Sequence, residues 1–156
     1  MTGDPSSTET DLKRPTGERV IAAARGWLGT PYRHQASLKG VGCDCLGLIR
    51  GIWRELYGEE PEVPPPYSPD WAERSGEDRL RAAAERALGP GHGPGAMQPG
   101  DLLLFAWRIG MPAKHAGILS SPGRFIHAYE QAAVIDSALV PCWRRRIVRA
   151  YSFPDL

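Results

Sequence analysis

The spacing of apolar residues along the chain changes near residue 100. In the first part they recur every three to four positions, for example at Val20, Ala24, Trp27 and Leu28, which is typical of an amphipathic helix. Beyond residue 100, short apolar runs lie between Gly- and Pro-rich segments and predict strands near 101–107, 115–119, 125–129, 132–135 and 147–153. Helices followed by strands predict an α+β domain rather than alternating βαβ units.

The clearest helical pattern begins at Cys45. Its apolar face comprises Leu48, Ile49, Ile52, Trp53 and Leu56. Gly47 and Gly51 lower helix propensity, so we expect another element to press closely against this helix. A cysteine in the first turn faces unpaired N–H groups and the positive end of the helix, which predicts a stabilised thiolate at Cys45.

The remaining boundaries follow from capping and breaking residues. Thr16 is expected to cap a helix over 18–28. The segment Ser75-Gly-Glu-Asp78 matches a capping box and is expected to precede a short helix over 79–88. The segment 32–42 is polar and contains glycine, which predicts a loop that brings Tyr32 towards Cys45. Residues 1–14 are expected to form a flexible tail, and 15–156 a single domain. The proline run at 64–66 favours a rigid linker over a partner-binding segment.

Composition excludes several classes of function. The chain has 156 residues and a net charge of +1, so nothing indicates binding to nucleic acid. A basic cluster at Arg144, Arg145, Arg146 and Arg149 favours a charged strand edge, although a partner surface stays open. Three cysteines argue for a reducing compartment rather than a disulfide framework. The polar N-terminus lacks the apolar core of a secretory leader, and no stretch predicts membrane insertion, so we expect cytoplasmic synthesis.

Two histidines lie on neighbouring predicted strands. With a five-residue connection over 120–124, Leu119 pairs with Phe125, and His115 lies diagonal to His127 on the same face. A connection one residue shorter puts the two histidines on opposite faces. The first register supports a catalytic set in which Cys45 is the nucleophile, His115 the base and His127 the group that orients His115.

Other interpretations of these residues stay open. A lone cysteine or histidine is more often structural than catalytic. Cys43 is expected to be structural; a zinc site with Cys45 and a histidine is the less favoured alternative, because Cys-x-Cys is shorter than the usual zinc spacing. Asp44 is expected to cap the helix rather than act as an acid. The roles of His34 and His92 stay undecided: a subsite residue and a solvated loop side chain are both open for His34, and the second is more common.

These motifs resemble the NlpC family of papain-like cysteine peptidases, from about residue 18 to 153. The matching segments are Gly29-Thr-Pro-Tyr32, Gly42-Cys-Asp-Cys45-Leu-Gly-Leu48, Pro99-Gly-Asp101-Leu-Leu-Leu-Phe105, His115-Ala-Gly-Ile-Leu119 and Phe125-Ile-His127-Ala128. The resemblance implies N-terminal helices packed on an antiparallel sheet of about five strands. It also implies a triad of Cys45, His115 and His127, with Tyr32 near the oxyanion or acyl side and no metal or other cofactor. The implied substrates are peptidoglycan stem peptides.

Two departures from the family pattern concern subgroup and specificity. Leu46 stands where many relatives have Ser, and Arg33-His34-Gln35 replaces an aromatic or glycine-rich continuation. The variant looks most like peptidases encoded with tail genes of phages and gene transfer agents. That resemblance implies cleavage of the D-glutamyl–diaminopimelate bond in the recipient's periplasm during DNA delivery, with tail or baseplate hub proteins as partners. A structural adaptor, or an amidase or acyltransferase of the same fold, are the alternatives.

Overall fold

The computed structural model describes residues 15–64 and 78–156. The helices are α1 (Thr16–Arg25), α2 (Cys45–Tyr57), α3 (Arg79–Leu88) and α4 (Pro141–Arg144). The strands are β1 (Ser37–Leu38), β2 (Gly42–Cys43), β3 (Leu102–Phe105), β4 (His115–Ser121), β5 (Arg124–Ala128), β6 (Val134–Ala138) and β7 (Ile147–Tyr151). No helix in these two ranges is long and apolar enough to cross a bilayer.

The strands form two antiparallel sheets. The large sheet has five strands in the order β6-β5-β4-β3-β7, and β1 and β2 form a small ribbon. The α+β class and the five-stranded antiparallel sheet are therefore confirmed. The β1–β2 ribbon, within 37–43, corrects the prediction that 32–42 is only a loop, since Ser37 pairs with Cys43.

The two faces of the large sheet carry different cores. One face bears Leu104, Ala116, Ile118 and Ile126 and packs against α1, α2 and α3. The opposite face carries a smaller apolar cluster, whose buried members are Leu103, Phe105, Leu119, Phe125, Leu139, Ile147 and Ala150. Trp143 of α4 packs on this second cluster. Because side chains alternate along a strand, His115 points to the second face, while its neighbour Ala116 points to the helices.

Close packing of the turn after α1 against α2 explains Gly51. A Cβ on Gly51 would collide with the ring of Trp27, which is 2% exposed. The Trp27 indole N–H also donates to Glu55 of α2 at 3.0 Å. The expectation that another element presses against the glycine side of α2 is therefore confirmed.

The start of α1 differs from the prediction. Pro15 is the N-cap residue, and Thr16 is already the first helical residue. The Thr16 hydroxyl accepts a hydrogen bond from the Leu156 amide at 3.2 Å, so it joins the C-terminus and does not cap the helix. The helix ends at Arg25, before the predicted Leu28, because the chain turns there towards β6 and the Gly29 amide donates to the Val134 carbonyl at 2.9 Å.

The β4–β5 hairpin sets the positions of the two histidines. Leu119 pairs with Phe125, which confirms the register that places both on one face. The predicted five-residue connection is shorter, since the strands continue to a Ser121–Arg124 pair and a bulge takes up the extra residue. The other strands lie within a few residues of their predicted bounds, and β6 is shifted furthest, to 134–138.

Some predictions lie outside the described residues. These are the tail at 1–14, most of the proline run and Ser75. At the start of α3, Asp78 is the N-cap, and its carboxylate accepts from the Arg81 amide at 3.4 Å.

Candidate active site

The N-terminus of α2 is held by its cap and by the loop before it. One carboxylate oxygen of Asp44 accepts from the Gly47 amide at 2.7 Å, and the other accepts from the Gln35 amide at 2.8 Å. Asp44 is 3% exposed, so the cap prediction is confirmed. A Cβ on Gly47 would collide with the Ala36 carbonyl, which explains glycine at this position. The first helical residue, Cys45, is thus fixed by contacts on both sides.

The two histidines are joined by a direct hydrogen bond. His115 Nε2 lies 2.8 Å from His127 Nδ1, and the two ring planes are almost perpendicular, at 82°. His127 is fully buried, and the Phe125 ring stacks on it with centroids 4.1 Å apart. The second nitrogen of His127, Nε2, lies 2.9 Å from the Ser137 hydroxyl. The remaining nitrogen of His115, Nδ1, is therefore the one available for chemistry.

Cys45 and His115 line the same cavity. Its volume is about 280 Å³, and the other lining residues are Tyr32, His34, Asp44, Leu46, Leu80, Trp107, Lys114, Ala128, Tyr129, Glu130, Gln131 and Trp143. The backbone N–H of Ala116, the residue after His115, lies near the Cys45 sulfur and lowers the pKa of the thiol. The site lies where the start of α2 meets the start of β4.

Burial decides the charge states of the reacting groups. Burial, followed by the neighbouring Asp44 carboxylate, raises the pKa of Cys45 to about 12, against the opposite effect of the Ala116 and Leu46 amides. Burial, and then His127, lowers the pKa of His115 to about 3. Burial also lowers the pKa of His127 to about 4. These shifts favour a thiol and neutral imidazoles in the free site, whereas the sequence predicts a helix-stabilised thiolate at Cys45.

Tyr32 is part of the wall of the cavity that Cys45 and His115 also line. Its backbone forms a bridge to Cys43, and its amide donates to the Ala132 carbonyl at 3.3 Å. Burial, followed by the nearby Cys45, raises the pKa of the Tyr32 phenol well above its ordinary value. The phenol stays protonated at neutral pH and is a hydrogen-bond donor within the cavity.

The structure also places the residues to which the sequence assigns no catalytic role. Cys43 is fully buried in the main core, as expected of a structural residue. His34 lines the cavity, with Nδ1 4.0 Å from Asp44 Oδ2. His92 is remote from the cavity and contacts Asp101 at 2.7 Å. Within 15–64 and 78–156, no group of three or more Cys, His, Asp or Glu side chains is arranged to hold a metal.

Sequence reasoning missed the aromatic wall beside His115. The Trp107 ring stacks on His115 with centroids 6.0 Å apart, and Trp143 lies 5.7 Å from the same ring. The Arg146 guanidinium lies 5.3 Å from the Trp107 ring. The basic segment at 144–149 thus contributes to the wall, which a simple charged strand edge does not explain. The position of Trp143 directly before three consecutive arginines was the available signal.

The cavity thus joins a cysteine at a helix start to a pair of hydrogen-bonded histidines, and the comparisons with known proteins identify the family of the chain. The model of the NlpC/P60 family matches residues 29–152, and the chain belongs to this family. The match covers the segments that carry Tyr32, Cys45, His115 and His127.

Curated relatives are longer proteins. The chain is 30% identical over 129 residues to the murein DD-endopeptidase MepS/murein LD-carboxypeptidase of Escherichia coli K12, covering 82% of the chain and 58% of that protein. It is 28% identical over 138 residues to the gamma-DL-glutamyl hydrolase of Bacillus subtilis, covering 88% of the chain and 29% of that protein. The chain thus spans less than two thirds of either relative.

Solved structures share the fold. The NlpC/p60 domain of the peptidoglycan hydrolase SagA superposes with a TM-score of 0.61 at 21% identity, covering 88% of this chain and 98% of that one. An NlpC/P60 family protein of Bacillus cereus gives a TM-score of 0.62 at 21% identity, covering 91% of this chain and 41% of that one.

Proposed function

We propose that this chain is a cysteine peptidase that hydrolyses stem peptides of peptidoglycan. One observation carries the proposal: Cys45 and His115 line the same cavity, and His115 is hydrogen-bonded to the buried His127. Such an arrangement supplies a nucleophile, a base and a group that orients the base. Membership of the NlpC/P60 family supports the same chemistry.

The proposed reaction has two stages. The Cys45 sulfur attacks the scissile carbonyl carbon while His115 Nδ1 takes the thiol proton, because both groups start neutral. His115 then gives this proton to the departing amine, and an acyl-thioester remains on Cys45. A water molecule attacks the thioester, His115 takes its proton, and the sulfur leaves as the acid product forms. The proton on His115 then returns to the sulfur.

Two donors are available for the developing oxyanion. The Cys45 amide lies at the start of α2, where the helix dipole favours negative charge. The Tyr32 phenol, which stays protonated, also faces the cavity. We propose that these groups stabilise the tetrahedral intermediate.

The finer proposal concerns the bond and the biological setting. We infer cleavage of the D-glutamyl–diaminopimelate bond by a component of a phage-like or gene transfer agent tail. Such a protein would be made in the cytoplasm, dock on tail or baseplate hub proteins and act in the recipient's periplasm. The support is the resemblance of Arg33-His34-Gln35 to this subgroup, and names of relatives that include murein endopeptidase and glutamyl hydrolase activities.

The test is mass spectrometry of muropeptides released from purified peptidoglycan. Wild-type protein is expected to release fragments ending at D-glutamate, and Cys45→Ala is expected to release none. Cys142→Ala is the matched control, because Cys142 is an exposed cysteine outside the cavity, and it should retain wild-type yields. Equal release by wild type and Cys45→Ala would contradict the proposal. Folded wild-type protein without turnover would favour the adaptor alternative, and transfer products would favour an acyltransferase.

A further inference from the structure

Ser137 extends the pair of histidines to a third group. The register pairs Ser137 of β6 with Phe125 and Ile135 with His127, so Ser137 lies diagonal to His127 on the same face of the sheet. Its hydroxyl oxygen is 2.9 Å from His127 Nε2, and His127 Nδ1 is 2.8 Å from His115 Nε2. Three side chains from three adjacent strands thus form a continuous chain of hydrogen bonds.

The direction of this chain decides which nitrogen of His115 carries the proton. Each neutral imidazole has one N–H donor and one acceptor nitrogen. When Ser137 accepts from His127 Nε2–H, His127 Nδ1 must accept from His115 Nε2–H, and His115 Nδ1 is left as a base. When Ser137 donates instead, every bond reverses, and His115 Nδ1 already carries a proton that prevents it from acting as a base.

Two features favour the direction in which Ser137 accepts. During turnover His115 is doubly protonated, and its Nε2–H must then donate to His127 Nδ1. His127 therefore carries its own proton on Nε2, and that N–H needs an acceptor, which the Ser137 oxygen supplies. Ser137 is only partly buried, so its own O–H can turn to water while the oxygen accepts. Packing also fixes the His127 ring, whose centroid lies 4.1 Å from that of Phe125 and 5.3 Å from that of Trp143.

We propose that Ser137 is a positioning residue, which holds His127 with its proton on Nε2 and thereby keeps His115 Nδ1 free to accept the proton of Cys45. The rate effect rests on the proposed peptidase function, whereas the tautomer assignment does not. Ser137 acts through the two histidines and does not touch the substrate carbonyl in this scheme.

The experiment measures the histidine tautomers by ¹⁵N NMR of full-length protein labelled at histidine. Wild type is expected to show His127 protonated at Nε2 and His115 at Nε2. Ser137→Ala should show a mixture of tautomers, and Ser137→Thr, which keeps the hydroxyl, should restore the wild-type spectrum. On peptidoglycan, Ser137→Ala should lower kcat up to about tenfold with unchanged KM, the scale of one hydrogen bond.

Ser120→Ala is the matched control. Ser120 is a buried serine of β4 whose hydroxyl donates to Asp136 at 3.3 Å, so its loss should leave both the histidine spectrum and kcat unchanged. Wild-type His127 protonated at Nδ1, or a Ser137→Ala spectrum identical to wild type, would overturn the inference. If wild type cleaves no peptidoglycan, the peptidase proposal fails, but the NMR spectra still decide the role of Ser137.

Discussion

The two halves of the site are built in different ways. The half that carries Cys45 is held by contacts close in sequence: the Asp44 cap lies one residue away, and Ala36 lies against Gly47 eleven residues on. The half that carries His115 and His127 depends on the register of separate strands. A local motif therefore positions Cys45, whereas the pairing of β4, β5 and β6 positions the two histidines.

The largest expected effect comes from removing the base on the sheet side. His115→Ala is expected to lower kcat by about 10³-fold, the usual scale for a general base. The fold should persist, because the ring is replaced by a smaller apolar side chain. Muropeptide release kinetics measure the loss. His92→Gln, which changes a histidine remote from the cavity, should keep kcat; an equal loss in both variants would contradict a specific role of His115 in the reaction.

On the helix side, the sharpest change is at Gly47. Gly47→Val places a branched side chain against the Ala36 carbonyl and is expected to lower the free energy of unfolding by about 3 kcal/mol, the upper range for overpacking. Denaturant titration measures it. Gly95→Val is a matched control, because nothing lies within 4 Å of the Cβ position there. Equal stability of the two variants would contradict the close approach of the loop to α2.

Acid is expected to destabilise the protein through the half of the site that carries His115 and His127. Folding lowers the pKa of His115 to about 3 and of His127 to about 4, from an unfolded value of 6.5, so below pH 6.5 the unfolded chain binds more protons than the folded one. Stability is therefore complete above pH 6.5 and falls as the pH approaches the folded values. Each histidine is expected to lower the free energy of unfolding by about 2 kcal/mol between pH 6.5 and pH 5.

Denaturant titrations at several pH values check this slope. Replacing one of the two groups, as in His127→Gln, should reduce the slope by about half, whatever its effect on stability at pH 7. A slope unchanged by the substitution would mean that other groups cause the loss in acid.

The same contrast explains what could be predicted from the sequence. The Asp44 cap and the glycines of α2 leave local signatures, and the β4–β5 register follows from one short connection. Ser137 was not found, because its place beside His127 depends on a second hairpin whose pairing leaves no comparable signal. Burial of Cys45 raises the pKa of its thiol and opposes the predicted thiolate, and burial is set by the whole fold rather than by the local sequence.

The central claim is that the Cys45 sulfur and His115 Nδ1 face one another across one cavity. Cross-linking with 1,3-dibromoacetone tests it directly, because this short reagent alkylates a thiol and then a neighbouring imidazole. Peptide mapping by mass spectrometry is expected to recover Cys45 joined to His115, and no such product from His115→Ala. Cys45 modified at one end only, or joined to a different residue in wild-type protein, would contradict the account.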